Sequence, residues 1–93
     1  MIDAYPFQEE SIGMTVAVDE RLREIVLYND DVNTFEHVIL SLIEICDHNP
    51  IQAEQCAFIV HHNGRCSVKM GTYDELEPRC SALLERGLSA EIY

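Results

Sequence analysis

The segment REIVLYNDDVNTFEHVILSLIEIC, residues 23–46, decides the fold because its hydrophobic period changes once along its length. Residues 23–28 form a short β-type run that ends at Asn29-Asp30-Asp31, where strand-breaking residues begin. The next apolar residues recur at i, i+3, i+4, i+7, i+8 and i+11, which is the stripe of an amphipathic helix: Phe35, Val38, Ile39, Leu42, Ile43 and Cys46. Asn33, with Glu36 three residues later, is the expected helix cap. The segment therefore predicts a strand, a polar turn and a helix.

A second helix is predicted after the polar break at residues 47–49. Asn49 is expected to cap it, Pro50 to be its first residue, and Gly64 to follow its last residue. Its apolar face is expected to hold Ala53, Cys56, Ala57 and Val60, extended by Phe58 and Ile59.

The remaining residues predict a strand, a helix and a strand. Residues 65–70 alternate, with Cys66, Val68 and Met70 on one face, as in a half-buried strand. Thr72 and Glu75 suggest a capping box for a third helix, whose apolar stripe is Leu76, Cys80, Leu83 and Leu84 and which stops at Gly87. Pro78 conflicts with an ideal helix and predicts a kink or a later start. A final strand is expected from the alternation of Leu88, Ala90 and Ile92.

The order β-α-α-β-α-β predicts one small α+β domain, a three-stranded antiparallel sheet with three helices packed on one face. We assign residues 23–93 to this core domain. Residues 1–22 lack clear periodicity and are expected to form a flexible N-terminal tail, with a short strand suggested at residues 14–18.

Composition narrows the classes of partner. The 17 acidic and 6 basic residues give a net charge of −11, which disfavours nucleic acids and anionic membranes and favours cationic groups such as a free α-amino group. The opening residues show no signal peptide, and no apolar run is long enough to span a membrane. The four cysteines form no Cys-x-x-Cys pair, which favours reduced thiols in a cytoplasmic protein.

Several motifs taken in order resemble the ClpS family of Clp protease adaptors. The set begins with Leu27-Tyr28-Asn29-Asp30-Asp31 and continues with Thr34-Phe35-Glu36, Val38, Ala53-Glu54, Val60-His61 and Gly64, and it ends with residues 83–92 (LLERGLSAEI). The resemblance spans roughly residues 24–92, nearly the whole expected core. It implies a non-enzymatic adaptor without a cofactor. Such an adaptor binds N-degron substrate proteins, those that begin with Phe, Tyr, Trp or Leu, and delivers them to a Clp AAA+ unfoldase of the ClpA or ClpC type with ClpP. We expect a monomer.

The resemblance also implies a binding site. It assigns contact with the α-amino group to Asn29 and Asp30, with Asp31 supporting them and His61 matching the family's histidine. It assigns the side-chain pocket to Asn33, Phe35, Val38, Ala57 and Val60. The family's usual Thr-Pro-Met after the signature is replaced here by Asn33-Thr34-Phe35, and its usual Met four positions before the histidine is Ala57. The preferred N-terminal residue therefore stays open.

The residues alone also allow plainer interpretations. Asn29-Asp30-Asp31 is by itself typical of a solvated turn, and His61 is typical of a surface residue at a helix C-terminus. Val38, Ala57 and Val60 have the spacing of ordinary core positions. His61, His62 and Cys66 lack a fourth ligand at suitable spacing, so no metal site is expected.

Two other functional classes are alternatives to the adaptor. An enzyme is disfavoured because Cys56 and His61 lie about 140° apart on one helix and cannot form a nucleophile–base pair. The main alternative is a protein-interaction domain of the same fold, like the C-terminal domain of the ribosomal stalk protein, without recognition of N-terminal residues. Retention of both Asp30 and His61 argues against that alternative.

Overall fold

The computed structural model describes residues 21–93, in which three strands and three helices follow the order β-α-α-β-α-β. They are strand β1 (Arg23–Tyr28), helix α1 (Phe35–Cys46), helix α2 (Pro50–Asn63), strand β2 (Arg65–Gly71), helix α3 (Tyr73–Glu85) and strand β3 (Ser89–Ile92). Strand β1 lies in the centre of the sheet and pairs antiparallel with both β2 and β3. The predicted α+β architecture is confirmed. The strand suggested at residues 14–18, and the expected tail apart from residues 21 and 22, lie outside the described residues.

One hydrophobic core joins the sheet to all three helices. Its buried members come from β1, α1, α2, β2, α3 and the chain around β3: Ile25, Leu27, Leu42, Cys46, Ala53, Val60, Val68, Leu76, Cys80, Leu83, Leu88 and Ala90. Complete burial of a Leu or Ile side chain stabilises a fold by about 1.5–3 kcal/mol. The helices are therefore held on the sheet mainly by apolar packing.

Helix α1 begins one residue later than its expected cap implies. Thr34, rather than Asn33, is the N-cap, and its Oγ1 accepts the backbone N–H of His37 at 3.1 Å. The prediction of Asn33 as the cap was wrong because its side-chain amide is bonded elsewhere, to Asp30 and to the carbonyl of Gly87.

Helix α2 has the predicted ends but not the whole predicted face. Asn49 caps it, Pro50 is its first residue, and Gly64 follows with a left-handed φ of 93° that suits glycine. Phe58 and Ile59 are 55% and 38% exposed, so their expected place on the buried face was wrong. Along a helix, Phe58 lies about 140° round from the buried Ala53, which turns it outward.

Strand β2 contains a β-bulge that the alternation of its residues did not reveal. Ile25 pairs with Lys69 and Val26 with Ser67, so Val68 is the extra residue. A bulge reverses the face on which later residues lie. Met70 is therefore 62% exposed, and its expected place on the face of Val68 was wrong. The buried His48 holds the bulge, because its Nε2–H donates to the carbonyl of Val68 at 2.6 Å.

Helix α3 begins at Tyr73 with the predicted capping box of Thr72 and Glu75. Of the two outcomes expected from Pro78, a kink or a later start, the later start was wrong. The proline leaves only the carbonyl of Asp74 without its usual donor, and both residues are exposed. Leu84 was expected on the apolar stripe but is 52% exposed, since it lies roughly 80° round the helix from Leu76. Gly87 ends the helix as predicted, with a φ of 84°.

Candidate functional site

The loop between β1 and α1 is fastened to the far end of α2. The backbone N–H of Asn29 donates to the carbonyl of Gly64 at 2.9 Å. Gly64 ends α2 just beyond Val60 and His61, so this bond places the loop beside the last turn of that helix. Residues that are about thirty positions apart in the sequence thereby meet.

Asp30 is the residue that shapes this loop. Its Oδ1 accepts the backbone N–H groups of Val32 and Asn33, each at 2.8 Å. Its Oδ2 accepts Nδ2–H of Asn33, also at 2.8 Å. These bonds, led by the one from the backbone N–H of Asn33, hold the pKa of Asp30 below the ordinary 3.8. The carboxylate is therefore ionised and internally bonded at neutral pH.

Asn33 links the loop to the turn that follows α3. Its Nδ2 donates to Asp30 and also to the carbonyl of Gly87, at 2.9 Å. The neighbouring His37 makes a parallel link, since its Nε2–H donates to the carbonyl of Arg86 at 2.9 Å. Neither link could be predicted from the sequence, because the acceptors at Arg86 and Gly87 are backbone carbonyls that no side-chain motif encodes.

Asp31 and Asn29 have side chains that are available for other partners. Both residues are exposed, and within residues 21–93 neither side chain makes a hydrogen bond or an ion pair. The loop thus presents a free carboxylate and a free amide next to a carboxylate that is already bonded. Free acceptors of this kind suit a ligand that carries N–H donors.

An open cavity of about 440 Å³ lies beside the loop and between α1 and α2. All nine residues assigned to the site from the sequence line it: Asn29, Asp30, Asp31, Asn33, Phe35, Val38, Ala57, Val60 and His61. Ala57 and Val60 form a buried wall, at 2% and 4% exposure, whereas Phe35 is 47% exposed. The volume falls within the range of about 300–1,000 Å³ that is usual for ligand pockets.

His61 and Phe35 contact each other across this cavity. Their rings pack edge to face with centroids 5.4 Å apart. The contact connects the first turn of α1 to the last turn of α2. A polar ring and an apolar ring are therefore held beside one another at the pocket, with carboxylates on the adjoining loop.

None of the four cysteines lines this cavity, and burial makes two of their thiols unreactive. The structure contains all four as free thiols. Burial raises the pKa of Cys56 to about 12 and that of Cys46 to about 11. Because the thiolate is the reactive form, both sulfurs are inert at neutral pH.

Neither a metal-binding cluster nor a membrane-spanning helix occurs among the described residues. Residues 21–93 contain no group of three or more His, Cys, Asp and Glu side chains placed to hold a metal ion. Within the same residues, no helix combines the length and apolarity that crossing a membrane requires.

Comparison with known proteins identifies the family. A sequence model described as "ATP-dependent Clp protease adaptor protein ClpS" matches residues 19–91. ClpS adapter proteins of Campylobacter jejuni are 33% identical over 55 residues, which make up 59% of this chain and 57% of theirs. The chain thus matches little more than half the length of these curated relatives.

A solved structure shares the fold. Agrobacterium tumefaciens ClpS2 bound to L-phenylalaninamide superimposes with a TM-score of 0.67 at 21% identity, covering 77% of this chain and 96% of that one. The family is one of protease adaptors and not of enzymes. The match over residues 19–91 covers most of the chain, which therefore belongs to the ClpS family of Clp protease adaptor proteins.

Proposed function

We propose that this protein binds other proteins by a bulky hydrophobic N-terminal residue: Phe, Tyr, Trp or Leu. The observation that carries the proposal is the open cavity whose rim holds the free carboxylate of Asp31 and the ring of His61 beside the apolar wall of Ala57 and Val60. The related Agrobacterium protein was solved with L-phenylalaninamide, a ligand that combines a free α-amino group with an aromatic side chain.

An N-terminal residue differs from an internal one in its α-ammonium group, which is cationic near neutral pH and has three N–H donors. Asp31 supplies the negative charge and Asn29 an amide oxygen, since neither has another partner within residues 21–93. His61 supplies a further acceptor when its ring is neutral. The resemblance implies that Asn29 and Asp30 contact the amine and that Asp31 supports them. The contacts favour the reverse division, with Asp30 holding the loop and Asp31 facing the amine.

The expected interaction energies are sufficient for reversible capture. Hydrogen bonds to charged groups contribute about 1.5–3 kcal/mol each. Burial of one aromatic or Leu side chain contributes roughly 1.5–3 kcal/mol. After the cost of association, a dissociation constant near the micromolar range is expected. That affinity suits an adaptor that must release its cargo.

The decisive experiment is a binding titration with a peptide that begins with Phe and with its N-acetylated twin. We expect micromolar binding of the free peptide and at least tenfold weaker binding of the acetylated one, because acetylation removes the charge and two donors. A peptide that begins with Ser and carries the Phe internally is the matched control for the side chain. Equal affinities for the free and acetylated peptides would refute the proposal.

We further propose delivery of the bound protein to a Clp AAA+ unfoldase of the ClpA or ClpC type with ClpP, in the cytoplasm and by a monomeric adaptor. Membership in a family of Clp protease adaptors and the four free thiols support this.

Residues 1–20 are proposed to engage the unfoldase. Their removal is expected to leave peptide binding intact and to slow degradation of a Phe-initiated reporter. Full delivery by the truncated chain would contradict that role.

A further inference from the structure

Four aromatic rings form a continuous path that leaves the pocket along the outer side of α2. From Phe35 the path runs to His61 at 5.4 Å, from His61 to His62 at 5.1 Å, and from His62 to Phe58 at 4.0 Å between ring centroids. We call these four residues the ring ladder. Only its first two members line the pocket, so the last two extend the apolar surface beyond it.

The last member of the ring ladder, Phe58, also lines a second depression. It has a volume of about 410 Å³ and is lined by Glu54, Gln55, Phe58 and Ile59. Phe58 and Ile59 are 55% and 38% exposed. Exposed apolar surface that adjoins a pocket is typical of an interaction site. Its continuity with the pocket indicates that the occupant is the same peptide.

The spacing of an extended peptide matches the ring ladder. An extended chain advances about 3.3–3.6 Å per residue, and alternate side chains point the same way. When the first side chain enters the pocket, the third side chain faces the protein about 7 Å further along. The two steps from His61 through His62 to Phe58 measure 5.1 and 4.0 Å. A peptide that leaves the pocket along these rings would place its third side chain over His62 and Phe58.

We propose that His62 and Phe58 form a subsite for the third residue of the bound protein, which favours an aromatic or large apolar side chain and disfavours an acidic one. This inference rests on the proposed function of the pocket. Glu54 borders the depression, and the whole chain carries a net charge of −11. An acidic third residue is therefore repelled as well as poorly packed.

The test uses a series of peptides that begin Phe-Ala-X, with X as Tyr, Ala or Glu, and a second series that begins Phe-X-Ala. Both are titrated into the full chain, into Phe58→Ser, and into Ile51→Ser as the matched control. Ile51 lies on the same helix and is 69% exposed, but it lines neither the pocket nor the depression. Melting temperatures establish that all three proteins fold.

For the full chain and for Ile51→Ser, we expect Tyr at the third position to bind about three- to tenfold more tightly than Ala, as for one aromatic contact. In Phe58→Ser that ratio is expected to fall to near one. Tyr at the second position should give little advantage in any of the proteins, because that side chain points away from the ring ladder.

The outcomes separate this inference from the proposed function. Equal affinities for Tyr and Ala at the third position, with acetylated peptides still excluded, would overturn the subsite and leave the pocket intact. A Tyr advantage that persists in Phe58→Ser, or that appears at the second position instead, would overturn it as well. Equal binding of free and acetylated peptides would overturn both.

Discussion

At the scale of single residues, two adjacent carboxylates in one loop have different surroundings. Asp30 accepts three hydrogen bonds from its own loop, whereas Asp31 is exposed and has no partner within residues 21–93. A bonded carboxylate positions backbone, and a free one is available to a cationic ligand. The two residues should therefore respond differently to the same substitution.

We expect Asp31→Asn to weaken binding of a Phe-initiated peptide at least tenfold, or about 1.4 kcal/mol, with little change in the free energy of unfolding. Asp30→Asn should instead lower the free energy of unfolding by about 1–3 kcal/mol, because its new NH₂ group would face Nδ2 of Asn33, donor against donor. Titration calorimetry and urea denaturation of both variants measure this. The opposite pattern, with the binding loss confined to Asp30→Asn, would return the amine contact to Asp30.

Acid should remove the contribution of Asp30 to stability. Its pKa is lowered in the folded protein, chiefly by the backbone N–H of Asn33, so the folded state favours the ionised form. That stabilisation is fully present above the ordinary pKa of 3.8, which applies in the unfolded chain, and is lost as the pH falls through the lower folded pKa. The difference in unfolding free energy between wild type and Asp30→Asn should therefore be larger at pH 7 than at pH 3. A difference that stays the same at both values would show that ionisation of Asp30 is not the source.

The resemblance to the ClpS family predicted which residues line the cavity, but not which of them hold the loop and which stay free. The resemblance named all nine residues that line the cavity. It did not reveal that Asn33 bridges Asp30 and Gly87, because that bridge depends on where a turn from the other end of the chain comes to lie. Local sequence specifies a loop, and tertiary contacts then decide which of its side chains stay free.

At the scale of elements, capping residues predicted the ends of α2 more accurately than apolar residues predicted which side of a helix is buried. Asn49-Pro50 and Gly64 fixed the ends of α2 because capping depends on residues a few positions apart. The outward positions of Phe58 and Leu84 could not be separated from core positions by composition, since both are large and apolar. The bulge at Val68 was invisible for another reason: it is a property of the pairing between two strands, and the sequence of β2 alone alternates cleanly.

Helices α1 and α2 should be energetically coupled across the cavity. Phe35 from α1 and Ala57 from α2 line it together. By the resemblance described above, each stands where the family usually has Met. Ala57→Met should overfill the cavity and weaken binding of Trp- and Tyr-initiated peptides most. Phe35→Met should leave the cavity too loosely packed around the ligand side chain. The double variant should recover more affinity than the sum of the single losses implies, by roughly 0.5–3 kcal/mol.

A double-mutant cycle with Phe- and Trp-initiated peptides measures that coupling. Thermal melts of the four proteins separate lost binding from lost folding, because Ala57 is 2% exposed and a larger side chain there strains the core. Strictly additive effects on affinity would mean that Phe35 and Ala57 do not act on one ligand side chain.

At the scale of the whole molecule, acidic residues greatly outnumber the basic residues that could neutralise them. The chain has 17 acidic and 6 basic residues. Among residues 21–93, Lys69 and Arg79 both pair with Asp47, and Arg86 pairs with Glu44. A protein of this charge attracts cationic ligands over a distance set by the ionic strength.

Salt should therefore slow capture more than it speeds release. Exposed charges are screened beyond about 10 Å at 0.1 M ionic strength, which weakens the long-range field before the contacts within a bound complex are affected. For a Phe-initiated peptide with two lysines near its C-terminus, we expect the association rate to fall about three- to tenfold between roughly 20 and 500 mM salt. The dissociation rate should change less.

A matched peptide with glutamines in place of the lysines carries only the α-ammonium charge, so its association rate should depend less steeply on salt. Stopped-flow fluorescence on both peptides gives the two rates separately. Equal salt slopes for the two peptides would mean that capture depends on the local clamp alone, and that the net charge of −11 has no part in it.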